Sequence, residues 1–466
     1  MPGDSNMQVE FNLDLIHRYD KAGPRYTSYP TAVQFHPGFA DEEYSEFARL
    51  SNRLNPGGAL SLYFHIPFCD TVCFYCGCNK VVTKDRSKAD VYLDHVYKEL
   101  ALQSELFDRD RQVDQLHWGG GTPTFISHEQ MTELMQTTRK HFNLHDDDTG
   151  EYSIEIDPRE ASPETITLLR ELGFNRLSLG VQDFDPDVQK AVNRIQSEEE
   201  TMTVIDAARN EDFKSISLDL IYGLPRQSVE SFSKTLDKII KVNPDRLSVF
   251  NYAHLPEMFK PQRRINVEEL PTPAEKLDIL QYIIQRLSEA GYVYIGMDHF
   301  ARPDDELALA QQAGSLYRNF QGYSTHADCD LIALGATGIG QVANSYSQNV
   351  KGLDEYYSLV DEGHLPVFRG IELNADDILR RHVINRLMCD FALDWKQVVK
   401  TYGIQPGQYF ASEWQDLKLM EDDGLLVHGH NQLQVKPAGR LLIRNICMVF
   451  DKYLRSSKKQ RYSKVI

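Results

Sequence analysis

The chain has 466 residues, 41% of them hydrophobic, and a formal net charge of −18 at pH 7. Its length admits two or three domains, or one large barrel with an appendage. The acidity argues against general nucleic-acid or anionic-membrane binding, because neutralising phosphates takes a basic footprint.

In chain order, the first residues, MPGDSNMQVE, carry neither the basic nor the apolar segment of a signal peptide. No later apolar run approaches the length of a bilayer span, so a cytoplasmic protein is expected. Residues 1–59 precede the first clear strand. Within them Tyr19–Ala32 is rich in Gly, Pro and Tyr, and is extended or turn-forming. It reads either as an arm packed on the surface or as a strap whose Arg25 closes over an anionic ligand. Asp41–Leu50 reads as a short helix.

From Leu60 to about Phe300 one unit repeats. Strand-like runs fall at Leu60–Ile66, Val113–Trp118, Tyr152–Ile156, Arg176–Val181, Ile216–Ile221, Arg246–Phe250 and Tyr292–Met297. Amphipathic segments lie between most of them, with start signals at Ser127, Ser162-Pro163, Ser197 and Thr272-Pro273, and stops at Gly173 and Gly291. Strands alternating with helices predict a parallel sheet. Several strands look apolar without strict alternation, as when both faces are covered. The fold class expected is α/β, a full or partial (β/α) barrel over 60–370, with its chemistry at the C-terminal strand ends.

The first strand ends in HIPFCDTVCFYCGCN, which puts Cys69, Cys73, Cys76 and Cys78 within ten residues. A thiolate cluster that tight reads as a metal or iron–sulfur site. Three thiolates can hold three corners of a cubane and leave one iron open. Cys78 could be a fourth ligand, but so close to Cys76 it reaches another corner only with strain; it reads as a non-ligand. The alternative is structural zinc, which lacks its second hook because Cys329, Cys389 and Cys447 are isolated. The seven cysteines make no disulfide framework and suit a reducing compartment.

The other strand ends carry polar residues. HWGGGTPT exposes backbone at Gly119–Gly121, either for a ligand or as a tight turn. Glu155 and Asp157 share one face of their strand, where a carboxylate suits a ribose diol or an ion pair with Arg176 or Arg194. Gln182 offers a donor and an acceptor. Asp219 is a lone carboxylate in an apolar run and needs a partner. Ala253 leaves room for a flat ring. Asp298 and His299 read as an acid–base pair or as a hydrogen-bonded strand end.

The spacing CX3CX2C, with Tyr75 before the third cysteine, resembles the signature of radical S-adenosylmethionine (SAM) enzymes. HIPFC, HWGGGTPT, DPRE, GFNRLSLGVQDF, DLIYGLP, NYAHLP and GMDHFA follow in one order, with GPRYTSYPTA before and PAGRLLIRNICMVFD after them. Together they resemble the oxygen-independent coproporphyrinogen III oxidases of that superfamily. The resemblance implies a 4Fe–4S cluster held by Cys69, Cys73 and Cys76 and reduced by a cytosolic low-potential electron donor. It implies that a SAM-derived 5′-deoxyadenosyl radical takes hydrogen from a propionate of coproporphyrinogen III. Two oxidative decarboxylations then give the vinyl groups of protoporphyrinogen IX. By the same resemblance Tyr63, Tyr75, Gly120, Glu155 and Ile339 contact the cluster-bound SAM. Gly121, Thr122, Gln182, Arg194, Asp219 and Ala253 contact a second SAM. The substrate is a tetracarboxylate, for which Arg25 and Arg302 are the candidate partners. A haem-binding chaperone on the same scaffold, or another radical SAM reaction, are the competing readings.

Over 371–466 the pattern changes. Asp376–Phe391 and Asp394–Tyr402 read as helices, Leu425–His428 and Leu433–Val435 as a hairpin, and Pro437–Leu454 as a last helix. Helices with a small hairpin predict a mostly helical, winged-helix-like domain acting as a lid rather than a DNA reader. Cys389 and Cys447 sit on apolar faces and read as core. Lys458–Lys464 reads as a solvated basic tail. No coiled-coil repeat appears, and a monomer is expected.

Overall fold

The computed structural model describes residues 9–456; the N-terminal MPGDSNMQ and the basic stretch Lys458–Lys464 lie outside the described residues. The chain forms two compact units. One holds residues 34–280 and 328–372, and the other 1–33, 281–327 and 373–466.

The larger unit is built on one sheet. Its strands are β1 (Leu60–Ile66), β2 (Gln112–Gly120), β3 (Glu151–Ile156), β4 (Arg176–Gln182), β5 (Ser215–Tyr222), β6 (Arg246–Asn251), β7 (Asp330–Leu334), β8 (Ile339–Val342), β9 (Ser345–Asn349) and β10 (Val367–Glu372). The order is β6-β5-β4-β3-β2-β1-β7-β8-β9-β10. Strands β1 to β6 run parallel in sequence order, and β7 adds in parallel beside β1. Strands β8 to β10 then turn back antiparallel. Within this unit the strand path is open, the partial form of the (β/α) arrangement.

The helices start where local chemistry asks them to. Ser127 caps His128–His141, Ser162 caps Pro163–Glu171 and Ser197 caps Glu198–Asn210, each with its third-position partner reaching back. Thr272 and Glu275 exchange the same pair of bonds at Pro273–Glu289. Gly173 and Gly291 end their helices at positive φ, +103° and +88°.

The sheet corrects one expectation. Its parallel strands alternate over most of their length, with register shifts at Val113–Gln115 and Gly180–Gln182. One face carries Leu62, Phe64, Leu116, Trp118, Ile154, Leu179, Leu218, Leu220 and Leu247, all at most 1% exposed. The opposite face carries Ser61, Tyr63, Gln115, His117, Ser153, Glu155, Ser178, Ser217, Asp219 and Ser248, which the pairing brings side by side. The polar residues are small hydroxyls and isolated charges. They hide in a sequence otherwise rich in Leu, Ile and Val, so the strands look apolar on both sides.

In the smaller unit, the run read as a seventh parallel strand is an antiparallel hairpin. Val293–Gly296 pairs with His299–Ala301 through a two-residue turn at Met297-Asp298. Gly296 (φ +142°) and Met297 (φ +52°) supply that turn. The arm Leu13–Ala32 opens with an unanticipated helix, Leu13–Tyr19, and then packs on the last helices. Arg444 donates to the carbonyls of Gly23 and Pro24, Asn445 to that of Tyr19, and Tyr26 to Asp451.

The C-terminal part has the winged-helix pattern with a third strand that the sequence hid: Ala392–Asp394 pairs with Gln432–Val435, which pairs with Leu426–His428. The expected last helix is three short ones, Pro437–Arg440, Ile443–Val449 and Lys452–Ser456. Cys389 and Cys447 are fully buried, as read. Among the described residues no helix is long and apolar enough to cross a membrane.

Candidate active site

The cysteine loop leaves β1 through Pro67 and is closed at its base. Phe68–Cys69 pairs in parallel with Val81–Val82. The Val81 amide donates to Pro67 O at 2.7 Å, and the Thr83 amide to Cys69 O at 3.0 Å. Residues after β4 brace the loop from the side. The Phe74 amide donates to Val192 O at 2.9 Å, and Asn193 donates to Val72 O at 2.8 Å.

The three thiols of the motif meet donors. Thr122 Oγ1 lies 3.6 Å from Cys69 Sγ, Arg194 Nη1 3.7 Å from Cys73 Sγ and Arg159 Nη2 3.8 Å from the same sulfur. Lys80 donates to the carbonyls of Cys76 and Cys78 at 3.2 and 3.5 Å. The Cys78 thiol donates to Cys76, and with Lys80 it pulls the Cys76 thiol down to about 5 against burial. Burial pushes the Cys69 thiol up to about 11. Two arginines and a lysine around the three thiols of one loop fit an anionic thiolate-bound cluster.

The glycine turn is packed against this loop. The Gly121 amide donates to Ile66 O and the Thr122 amide to Phe68 O, both at 2.8 Å. A Cβ at Gly121 would lie 2.7 Å from Phe68 O and 2.8 Å from the Pro67 carbonyl carbon. At Gly120 (φ +117°) it would lie 2.7 Å from the His65 ring. The chain's own close approach therefore demands glycine here, whatever ligand lies above.

The polar face of the sheet supplies the floor. Tyr63 stacks on His117, ring centroids 5.8 Å apart and 12° from parallel. Its hydroxyl is 3.1 Å from His65 Nδ1, while His65 Nε2 is 3.1 Å from Asn79 O at the end of the cysteine loop. Glu155 accepts from the Gly120 amide at 3.1 Å and lies 3.4 Å from His117 Nε2. Burial opposes its ionisation, but His117, the amide and His65 outweigh burial and hold its carboxyl below the usual range. The Glu155 side chain is still 46% exposed. Asp157 takes the ion-pair role instead, 2.6 Å from Arg159 and 3.0 Å from Arg194. Asp219 has the hydroxyls of Ser178, at 3.2 Å, and Ser248 as partners, and burial pushes its carboxyl up to about 6.

The rim places the remaining residues. Gln182 ends β4 at φ +66°, where the β4–β5 register shifts. Ala253 is exposed just after β6, Ile339 opens β8, and Tyr75 packs among Val188, Val192, Leu224, Tyr252 and Ile265. Arg25 and Arg302 belong to the other unit. There Arg25 pairs with Asp298 in the hairpin turn, and Arg302 with Asp304 at 3.2 Å. Asp298 thus has an arginine partner.

Sequence reasoning missed several residues. His117 could have been found: it lies on the strand that runs into the glycine turn, two residues before Gly119. Gln262 and Glu99 gave no signal. Glu99 is fully buried and accepts from Tyr356 Oη at 2.6 Å, the Gly335 amide at 2.7 Å and Asn349 Nδ2 at 2.7 Å. Beside it, Tyr92 donates to His65 O at 2.6 Å and accepts from the Ala336 amide at 3.0 Å.

Three thiols on one loop at the C-terminal rim of parallel strands, above a floor of carboxylates and hydroxyls, define a radical SAM enzyme. Residues 63–239 match the family model of the Radical SAM superfamily, and residues 373–442 that of the HemN C-terminal domain. An oxygen-independent coproporphyrinogen III oxidase from Pseudomonas aeruginosa is 54% identical over 458 residues, covering 98% of this chain and 99% of that one. Its counterpart from Escherichia coli is 49% identical, covering 99% of this chain and 100% of its own. The solved structure of coproporphyrinogen III oxidase (HemN) from Escherichia coli, described as a radical SAM enzyme, aligns with a TM-score of 0.91 at 47% identity. It covers 96% of this chain and 100% of that one. The chain belongs to the oxygen-independent coproporphyrinogen III oxidase family. The cofactors that go with it are a 4Fe–4S cluster and SAM, and the thiols and cations described above suit them.

Proposed function

We propose that the chain converts two propionate side chains of coproporphyrinogen III to vinyl groups without oxygen, releasing CO2 and giving protoporphyrinogen IX. The observation that carries this reading is the loop of Cys69, Cys73 and Cys76 at the rim of the parallel sheet, in a chain that aligns end to end with its relatives. When bound, the cluster and SAM supply a 5′-deoxyadenosyl radical that abstracts hydrogen from the substrate propionate.

The chain's own groups have separable tasks. Cys69, Cys73 and Cys76 hold the cluster, and Cys78 stays a thiol outside it. Arg194 and Arg159 balance thiolate charge and keep Asp157 ionised. His117 and the Gly120 amide orient Glu155 so that its other lone pairs can accept from SAM. Tyr63, Tyr75, Gly120, Glu155 and Ile339 serve the first SAM. Gly121, Thr122, Gln182, Arg194, Asp219 and Ala253 serve a second. Arg25 and Arg302 are assigned to substrate carboxylates. Residues 60–370 carry the chemistry, 1–59 form an N-terminal extension and 371–466 a mostly helical C-terminal domain. A low-potential cytosolic carrier delivers the electron to a monomer in the cytoplasm.

The test is anaerobic turnover of reconstituted protein with SAM, reductant and coproporphyrinogen III. Protoporphyrinogen, read as its oxidised porphyrin, and CO2 are expected, and a serine at 69, 73 or 76 should abolish both. Haem binding without either product would favour the chaperone reading and overturn this one.

A further inference from the structure

We infer that Gln262, a residue outside every recognised motif, is a positioning residue that sets the distance between the cluster loop and the rim of β6. It lies in the short helix Lys260–Arg264 and is 2% exposed. Its carboxamide nitrogen donates to Tyr75 O at 2.9 Å and to Ala253 O at 3.2 Å. Its oxygen accepts the Leu255 amide at 2.6 Å. Both amide hydrogens are used, on two carbonyls that belong to different parts of the site. Tyr75 O is half of the peptide bond to Cys76.

The same segment grips the loop at two more points. The Phe259 ring lies so close to Gly77 that a Cβ there would be 3.1 Å from it. Arg264 stands over the Phe74 ring, 5.4 Å from its centroid. Cys76 is therefore held from both chain neighbours by one stretch, 259–264, and that stretch is tied to Ala253 by Gln262. A glutamine suits the task because only an amide presents two donors and one acceptor in a plane. Glutamate would set its oxygens against two carbonyl oxygens, and leucine would leave the same carbonyls unpaired in a buried place.

The inference rests on Cys76 as a cluster ligand and Ala253 as a SAM contact. Anaerobically reconstituted Gln262→Leu and Gln262→Glu would be compared with the parent for iron content, for the rate of iron loss to a chelator, and for the KM of SAM against kcat. Both variants are expected to load the cluster, lose iron about tenfold faster, and show a similar rise in the KM of SAM with a smaller change in kcat. Iron loss and KM within twofold of the parent in both variants would overturn the inference. If neither variant folds, Phe259→Ala, which opens the same grip at Gly77, must show the faster iron loss, and failure to do so overturns it equally. A parent that binds no iron and sulfide would instead sink the reading of the site itself.

Discussion

Arg194 and Asp157 meet at 3.0 Å, and the same guanidinium nitrogen that makes this contact lies 3.7 Å from Cys73 Sγ. Its other terminal nitrogen donates to Gly180 O at 2.6 Å. One planar cation therefore links a cluster thiol, a strand-end carboxylate and a strand backbone. Lysine has charge but no fork. Arg194→Lys is expected to cost about 2 kcal/mol of apo-protein stability, since Asp157 keeps Arg159, and to raise the KM of SAM about tenfold. Denaturant unfolding and steady-state kinetics check this. Unchanged values in both would show the fork to be idle.

The glycine turn predicts a contrast between two substitutions. Gly121→Ala drives a methyl into backbone atoms of Pro67 and Phe68 that cannot move without shifting the cysteine loop. It should cost about 2–4 kcal/mol and lower cluster loading. Gly291→Ala meets no atom within 4 Å, and only its φ of +88° is strained, so it should cost about 1 kcal/mol and leave cluster loading intact. Thermal unfolding and iron analysis of the pair separate backbone crowding from conformational strain.

Glu99 gives a pH prediction. Burial pushes its carboxyl up from 4.5 to about 7, with Tyr356, the Gly335 amide and Asn349 pulling the other way. Between those values the folded chain holds more protons than the unfolded one. The group's contribution to stability is thus fully present below pH 4.5 and lost as pH rises through 7. The loss should approach about 3 kcal/mol by pH 8. Unfolding free energies of the apo-protein at pH 5, 6, 7 and 8 should fall in this window, and Glu99→Gln should flatten the slope. An equal slope in both proteins would remove Glu99 from the account.

Arg25 predicts an effect on substrate alone. Its partner Asp298 lies in the hairpin turn, and the arm that carries it is anchored by Arg444 and Asn445. Arg25→Ala should raise the KM for coproporphyrinogen III several-fold and leave the KM of SAM within twofold. Kinetics with each substrate varied in turn would check it. Arg302, paired at 3.2 Å with its near neighbour Asp304, should give a smaller effect.

Much of this was legible in the sequence, for physical reasons that particular residues show. Cys69, Cys73 and Cys76 had to share a loop because chain spacing alone forces it. Ser127, Ser162 and Ser197 announced their helices because capping is local. The hairpin at Met297-Asp298 was not legible, because its apolar strand resembles the parallel ones and only its pairing differs. The polar floor was half hidden. Glu155 and Asp219 stood out as charges, whereas Ser153, Ser178 and Ser248 are too small to mark a face. Gln262 was invisible, since its partners are main-chain carbonyls and an amide that any residue would offer.

The alternation of the six parallel strands limits how such a chain can change. An insertion or deletion of one residue within a strand would rotate everything beyond it by half a turn, sending carboxylates into the greasy layer and leucines over the cofactors. Substitution at the polar positions, and length changes in the connecting loops, are free of that penalty. Diversification of this scaffold is therefore easiest by editing the rim and lengthening its turns, since the sheet carries only isolated register shifts along its parallel strands.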